Sequence, residues 1–250
     1  MITTSAVQQK GGVGKTSAIC HLAFDYAENR NKRVLVIELD PQGNASHTLA
    51  NFKHASLLAS DLFRPGSTAG QVFGPGLTFL AADPQLVEIE KADLGEMSQN
   101  FSDNLNALAD HFDICLIDTA PALGLRMSVA LYVSGFVFTP IELSAYSIQG
   151  VKKMQTTIEN MCVYNPDLTF LGLLPSRVDN RVPRQRANLA NLRKDHAEKL
   201  IPTAISQRDC IADALDNRFP VWRIKTKSAR LATAEFKALA DYIYEKMGIE

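Results

Sequence analysis

The chain has 250 residues, 46% of them hydrophobic, with 26 Lys or Arg against 27 Asp or Glu and a formal charge of −1. This composition excludes a disordered chain, and no run approaches the eighteen apolar residues of a membrane-spanning helix. Cys20, Cys115, Cys162 and Cys210 form no Cys-x-x-Cys pair, which argues against a zinc site or disulfide frame and for the reduced thiols of a cytoplasmic protein.

Apolar strand-like runs alternate with helix-length amphipathic segments. That alternation predicts an α/β fold, a mainly parallel twisted sheet with helices on both faces. Ile2–Gln8 is the first expected strand, and Met1–Val7 lacks the basic stretch of a signal peptide. A glycine-rich loop follows, then an expected helix over Thr16–Asn29. Arg33–Leu39 reads as a second strand ending at Asp40. Phe63–Gly76, with four glycines and two prolines, is expected to be a surface loop. Leu77–Ala82 reads as a short strand and Ile114–Asp118 as a strong one, apolar up to its acidic end. Helix Leu125–Ser134, strand Gly135–Ile141, helix Ser147–Cys162 and strand Leu168–Leu174 come next. Helices over Arg184–Leu200, Cys210–Asn217 and Ala229–Met247 complete the series. With no repeat and no linker, residues 1–250 are expected to form a single domain.

The loop Lys10-Gly11-Gly12-Val13-Gly14-Lys15-Thr16 carries the first chemistry. A strand feeding a glycine turn and then a helix aims several backbone N–H groups, and the positive end of the helix dipole, at one small volume where phosphates bind. Lys15 is placed to reach the β- and γ-phosphates, and the Thr16 hydroxyl to ligate Mg²⁺. Ser17 is expected to donate to the α-phosphate. The general motif asks for glycine where Gln9 stands. Asp40 and Asp118 both fall at strand ends, where open α/β sheets place their binding sites. Asp118 closes an apolar strand, as a Walker B element does. One carboxylate, Thr16 and phosphates suffice for Mg²⁺, which keeps several waters.

Lys-Gly-Gly-x-Gly-Lys-Thr with its second lysine, Lys10, resembles the deviant Walker A loop of the ParA/MinD family of dimerising ATPases. Glu38-Leu-Asp40-Pro-Gln-Gly-Asn44 resembles the family's Asp-x-Asp-Pro-Gln-x-Asn segment, with Glu38 where Asp is commoner. The resemblance implies that ATP and Mg²⁺ close a sandwich homodimer in which Lys10 reaches the partner's phosphates. It implies that Asp40 orients the attacking water, and that catalysis rests on Lys10, Lys15 and Asp40. Gly11, Gly12, Val13, Gly14, Lys15, Thr16 and Ser17 would hold the phosphates, and Thr16 and Asp118 the metal. Leu200–Arg208 followed by Ala212-Asp-Ala resembles the late signature of partition ATPases, which lies near the adenine pocket and dimer edge. Arg177 and Arg181 match positions near the base only loosely.

Residues 181–230 hold twelve Lys or Arg against five Asp or Glu, while the remainder holds 14 against 22. A basic segment on an acidic chain points to a polyanion. In partition ATPases the ATP-bound dimer binds double-stranded DNA without sequence preference, and a centromere-bound ParB-type protein stimulates hydrolysis. Arg193, Lys194, Lys199, Arg218, Arg223, Lys225, Lys227 and Arg230 are the candidate DNA contacts, which sets the expected location as cytoplasmic and nucleoid-associated. Trp222, amid these charges, is expected to pack in the core. With the loop starting at residue 10, no preceding helix-turn-helix is expected. The last amphipathic segment balances Arg230, Lys237 and Lys246 against Glu235, Asp241 and Glu245, so it is expected to pack on the domain and not on a membrane. The alternative is a MinD-like or scaffold-binding spatial regulator.

Overall fold

In the computed structural model, which describes residues 1–143 and 147–249, six strands form: β1 (Ile2–Ala6), β2 (Val34–Glu38), β3 (Leu77–Leu80), β4 (Ile114–Asp118), β5 (Phe136–Ile141) and β6 (Thr169–Pro175). They make one sheet in the order β3-β2-β4-β1-β5-β6, parallel at every pairing. The helices among the described residues are α1 (Lys15–Phe24), α2 (Asn44–Thr48), α3 (Gln85–Ile89), α4 (Leu94–Ala107), α5 (Leu125–Val133), α6 (Ser147–Met161), α7 (Pro183–Asp195), α8 (Asp209–Asp216) and α9 (Lys227–Met247). None is long and apolar enough to cross a membrane.

The side-chain alternation of β2 divides the core. Val34 and Val36 pack on one face of the sheet with α1 and α9, through Ile19, Ala23, Phe236 and Ile243. Leu35 and Ile37 pack on the other with α4 and α5, through Phe101, Leu105, Val129 and Ala130. A strand covered on both faces must be apolar at every position, which is why β2 and β4 read as continuous hydrophobic runs. β1 lies between β4 and β5. The chain leaves β1 toward β2 on one side and later crosses from β4 to β5 on the other. This reversal opens a crevice beyond the carboxyl ends of the central strands.

Three expectations shift. The first helix gives way after Phe24 to a wider turn over Asp25–Asn29, with Arg30 N bonding back five residues to Asp25 O. Asp25 holds that turn by accepting from Asn29 Nδ2 and Arg30 Nε, both at 2.8 Å. The helix expected through Leu200 ends at Asp195, because the following chain must pair with β6. Ile201 N donates to Leu173 O at 2.9 Å, after a 3-10 turn over Ala197–Lys199. Finally, α4 stands where no helix is expected. Its sign was Asp93, whose carboxylate caps the first turn at Glu96 N (2.8 Å).

His21 of α1 sits deep in the first core, stacked 3.9 Å from the Phe236 ring. Its Nε2 accepts from Val221 N (3.2 Å), so its Nδ1–H donates to Ser17 O (2.8 Å). Burial lowers its pKa from 6.5 to about 4. The unfolded chain takes up this proton below pH 6.5 while the folded one resists until about 4. Stability is therefore full above pH 6.5 and falls across the window down to 4, by about 3 kcal/mol in total. Urea unfolding at pH 7 and pH 5 checks this. The wild type is expected to lose markedly more stability than His21→Gln over that interval, and parallel losses would contradict it. Trp222 packs edge-on to His21 at 6.0 Å and is half-buried.

Candidate functional site

Beyond β1 the chain turns through Gln9–Gly14 and enters α1. Two turn positions require glycine: Gly12 and Gly14 have φ of 73° and 91°. A Cβ on Gly14 would also meet Ser176 Oγ at 2.6 Å, so this loop packs directly on the end of β6. Gly11 to Ser17 all line one cleft of 720 Å³, a size suited to a small-molecule ligand. Lys15 folds back over the loop, with Nζ 3.2 Å from Gln8 O, and is only 6% exposed. Burial lowers its pKa, while Asp118 and Asp40 oppose that effect.

Asp118 is fully buried at the end of β4, beside Glu38 in the register of the sheet. Its Oδ2 accepts from Thr16 Oγ1 at 2.6 Å, and its Oδ1 is buried with no hydrogen-bond partner. Burial pushes its pKa up to about 7; Glu38 and Asp40 add to this, and the Thr16 hydroxyl and Lys15 oppose it. An orphaned carboxylate oxygen in a negative cluster beside a threonine hydroxyl is a donor set that fits a hard divalent cation. The residues expected to hold Mg²⁺ are thus brought together.

Asp40 follows β2, whose ladder is extended by Leu39 N donating to Asp118 O at 2.8 Å. Asp40 Oδ1 accepts from Gln42 N at 3.0 Å, which turns the loop and leaves the side chain lining the cleft. Glu38 does not line it. Its carboxylate accepts from Ala45 N (2.6 Å) and Ser46 Oγ (2.5 Å), so it anchors the start of α2 and with it the loop that carries Asp40. The extra methylene relative to Asp suits that reach.

Lys10 stands outside the cleft. Its exposed ammonium pairs with Glu142 of the same chain. Arg177 has a left-handed backbone, φ 53°, and its Nη1 donates to Gly12 O at 2.6 Å. It therefore braces the phosphate loop; Ile205–Asp209, Ile211, Ala212 and Leu215 also wall the cleft. Arg181 is exposed and paired with Asp179. Gln42, Asn44, His47, Thr48 and Pro121 also line the cleft. The Gly43 turn and the short helix α2 bring in Gln42, Asn44, His47 and Thr48, and the turn after β4 brings in Pro121.

The basic candidates are all exposed. Arg193 and Lys194 end α7, and Lys199 closes the next turn. Arg218, Arg223, Lys225, Lys227 and Arg230 surround the α8–α9 connection. Arg223 is tied to Glu28 at 2.6 Å. The four cysteines are free thiols.

A family model described as an AAA domain matches residues 1–170. Protein IncC of Escherichia coli is 46% identical over 255 residues, covering 100% of this chain and 70% of that protein. The chromosome-partitioning ATPase Soj of Thermus thermophilus is 32% identical over 209 residues, covering 82% of this chain and 81% of Soj. The crystal structure of cobyrinic acid a,c-diamide synthase from Mycobacterium smegmatis, with bound ATP analogue and magnesium, shares the fold. It matches at a TM-score of 0.77 and 23% identity, over 100% of this chain and 97% of that one.

Proposed function

This chain belongs to the ParA/MinD family of partition ATPases, and from that premise we propose that it is an ATP-driven DNA-segregation switch acting as one domain over residues 1–250. The observation that carries this reading is the Lys15–Thr16–Asp118 cluster beneath a glycine-rich loop, with one Asp118 oxygen unpartnered. The substrate is ATP, hydrolysed to ADP and phosphate. Backbone N–H groups of Gly11–Ser17 and the Lys15 ammonium bind its phosphates. Thr16 and Asp118 are the residues that would hold Mg²⁺, which supplies neutralising charge at the β- and γ-phosphates. Asp40, held by the Gln42 turn and by the Glu38 anchor behind it, orients the attacking water.

Two copies close around two nucleotides, with Lys10 exchanging Glu142 for the partner's phosphates. Nucleotide favours this state because it binds the paired form better than the single one. The dimer binds duplex DNA without sequence preference through the exposed basic residues, and a ParB-type centromere-binding partner stimulates hydrolysis and release. The protein acts in the cytoplasm, on the nucleoid.

Gel shifts on unrelated duplexes test the reading. Retention is expected with ATP, not with ADP or without nucleotide, and should weaken steeply with salt. Lys225→Glu with Lys227→Glu is expected to reduce affinity on every duplex alike. Nucleotide-independent binding, or no DNA binding together with ATP-dependent sedimentation on liposomes, would contradict it and favour a membrane-acting regulator.

A further inference from the structure

Arg126, in the first turn of α5, is buried, and its guanidinium reaches two ways. Its Nε donates to Glu90 Oε1 at 2.6 Å, and its Nη1 donates to the buried carbonyl of Leu39 at 3.2 Å. Glu90, directly after α3, also accepts from Leu125 N at 2.8 Å. The approach is close: a Cβ on Gly124 would lie 2.9 Å from Glu90 Cδ, which leaves no room there for a side chain. Burial opposes ionisation of Glu90, but its bonds to Arg126 and to the Leu125 amide outweigh that and lower its pKa. A charged acceptor thus holds a charged donor in a fixed direction.

Leu39 precedes Asp40, and its carbonyl belongs to the peptide unit that joins the two. A peptide unit is planar, so a bond to that oxygen sets the direction in which the chain enters Asp40. On the other side of the same residue, Leu39 N donates to Asp118 O at 2.8 Å. Leu39 is therefore gripped by β4 through its N–H and by Arg126 through its C=O. Asp40 itself is buried, and its Oδ1 accepts from Gln42 N at 3.0 Å. Asp40 lines the cleft and Arg126 does not. Pro121, in the turn that leads to α5, also lines it.

We propose that Arg126 is a positioning residue for the reaction: through Leu39 O it fixes the peptide plane that carries the Asp40 carboxylate toward the attacking water, with Glu90 holding the guanidinium in place. This rests on reading the cleft as an ATP site and Asp40 as its water-orienting group. A group misplaced by about 1 Å costs up to about a hundredfold in rate, while the donors that hold the phosphates stay where they are.

Arg126→Met removes the donors and keeps a long side chain. It is expected to bind ATP within about threefold of wild type by titration calorimetry, and to hydrolyse it at least about tenfold more slowly in a single turnover. In the Asp40→Ala protein the same substitution is expected to change the rate by less than about twofold, because the group it positions is gone. The full slowing in that background, as general loosening or a route through Pro121 would give, overturns the proposal. An unslowed Arg126→Met protein, or one that loses ATP affinity in step with its rate, also overturns it. Should Arg126→Met not fold, Glu90→Gln keeps an acceptor for Leu125 N and weakens the grip on the guanidinium. It is then expected to slow hydrolysis about threefold alone and to have no effect beside Asp40→Ala. A wild type that does not hydrolyse ATP sinks the ATP reading itself, and Arg126's role with it.

Discussion

A protein carrying Asp40→Ala is expected to bind ATP within about threefold of wild type and to hydrolyse it at least about a hundredfold more slowly, the scale of removing a positioned proton acceptor or water-orienting group. Asp40 lines the cleft, and among the described residues its carboxylate's hydrogen-bond partner is the Gln42 amide. Removing it takes away a negative charge beside Lys15 and no phosphate donor, so phosphate binding is expected to survive. The backbone around it is held from both sides, by Leu39 N on Asp118 O and by Glu38 on Ala45 and Ser46. Truncation at Cβ removes the carboxylate and leaves that frame standing. Single-turnover hydrolysis beside equilibrium nucleotide binding separates the two effects. An Asp40→Ala protein that turns over normally contradicts the assigned role.

Lys15→Ala is expected to have the largest effect on binding. Lys15 is a buried cation that feels the charges of Asp118 and Asp40, and its ammonium is already placed over the loop, 3.2 Å from Gln8 O. Phosphates entering the loop meet it with little rearrangement. Losing such a contact in a shielded site costs about 3 kcal/mol or more, about a hundredfold in affinity. It also leaves the two carboxylates uncompensated against an incoming polyanion. Calorimetric titration with ATP checks this, and an affinity within about threefold of wild type would contradict it.

How legible these features were depends on how far apart in the chain their causes lie. β4 runs Ile114–Asp118, the bounds its apolar run and acidic end predict, because a strand covered on both faces leaves no polar position to confuse the pattern. The loop from Lys10 to Thr16 was legible because its chemistry is contiguous. α4 was not, since its buried Phe101 and Leu105 sit among polar residues and its cap at Asp93 was the clearer sign. Glu38 was an ambiguity in the sequence, and the structure explains it through a contact seven and eight residues away. The pairing of Lys10 with Glu142 spans 132 positions, and that of Arg177 with Gly12 spans 165. No local pattern reports such contacts. The same holds for Ser206 and Arg208, which both bond Glu235 of the last helix.

In the proposed mechanism, nucleotide pairs two copies of the chain through Lys10. Sedimentation velocity on the Asp40→Ala protein, which is expected to keep ATP intact, tests it most directly. With ATP and Mg²⁺ a dimer should form, with ADP a monomer should persist, and adding Lys10→Ala should return the ATP sample to monomer. A dimer that forms with ATP in the absence of Lys10, or a monomer under every nucleotide, would contradict pairing through Lys10.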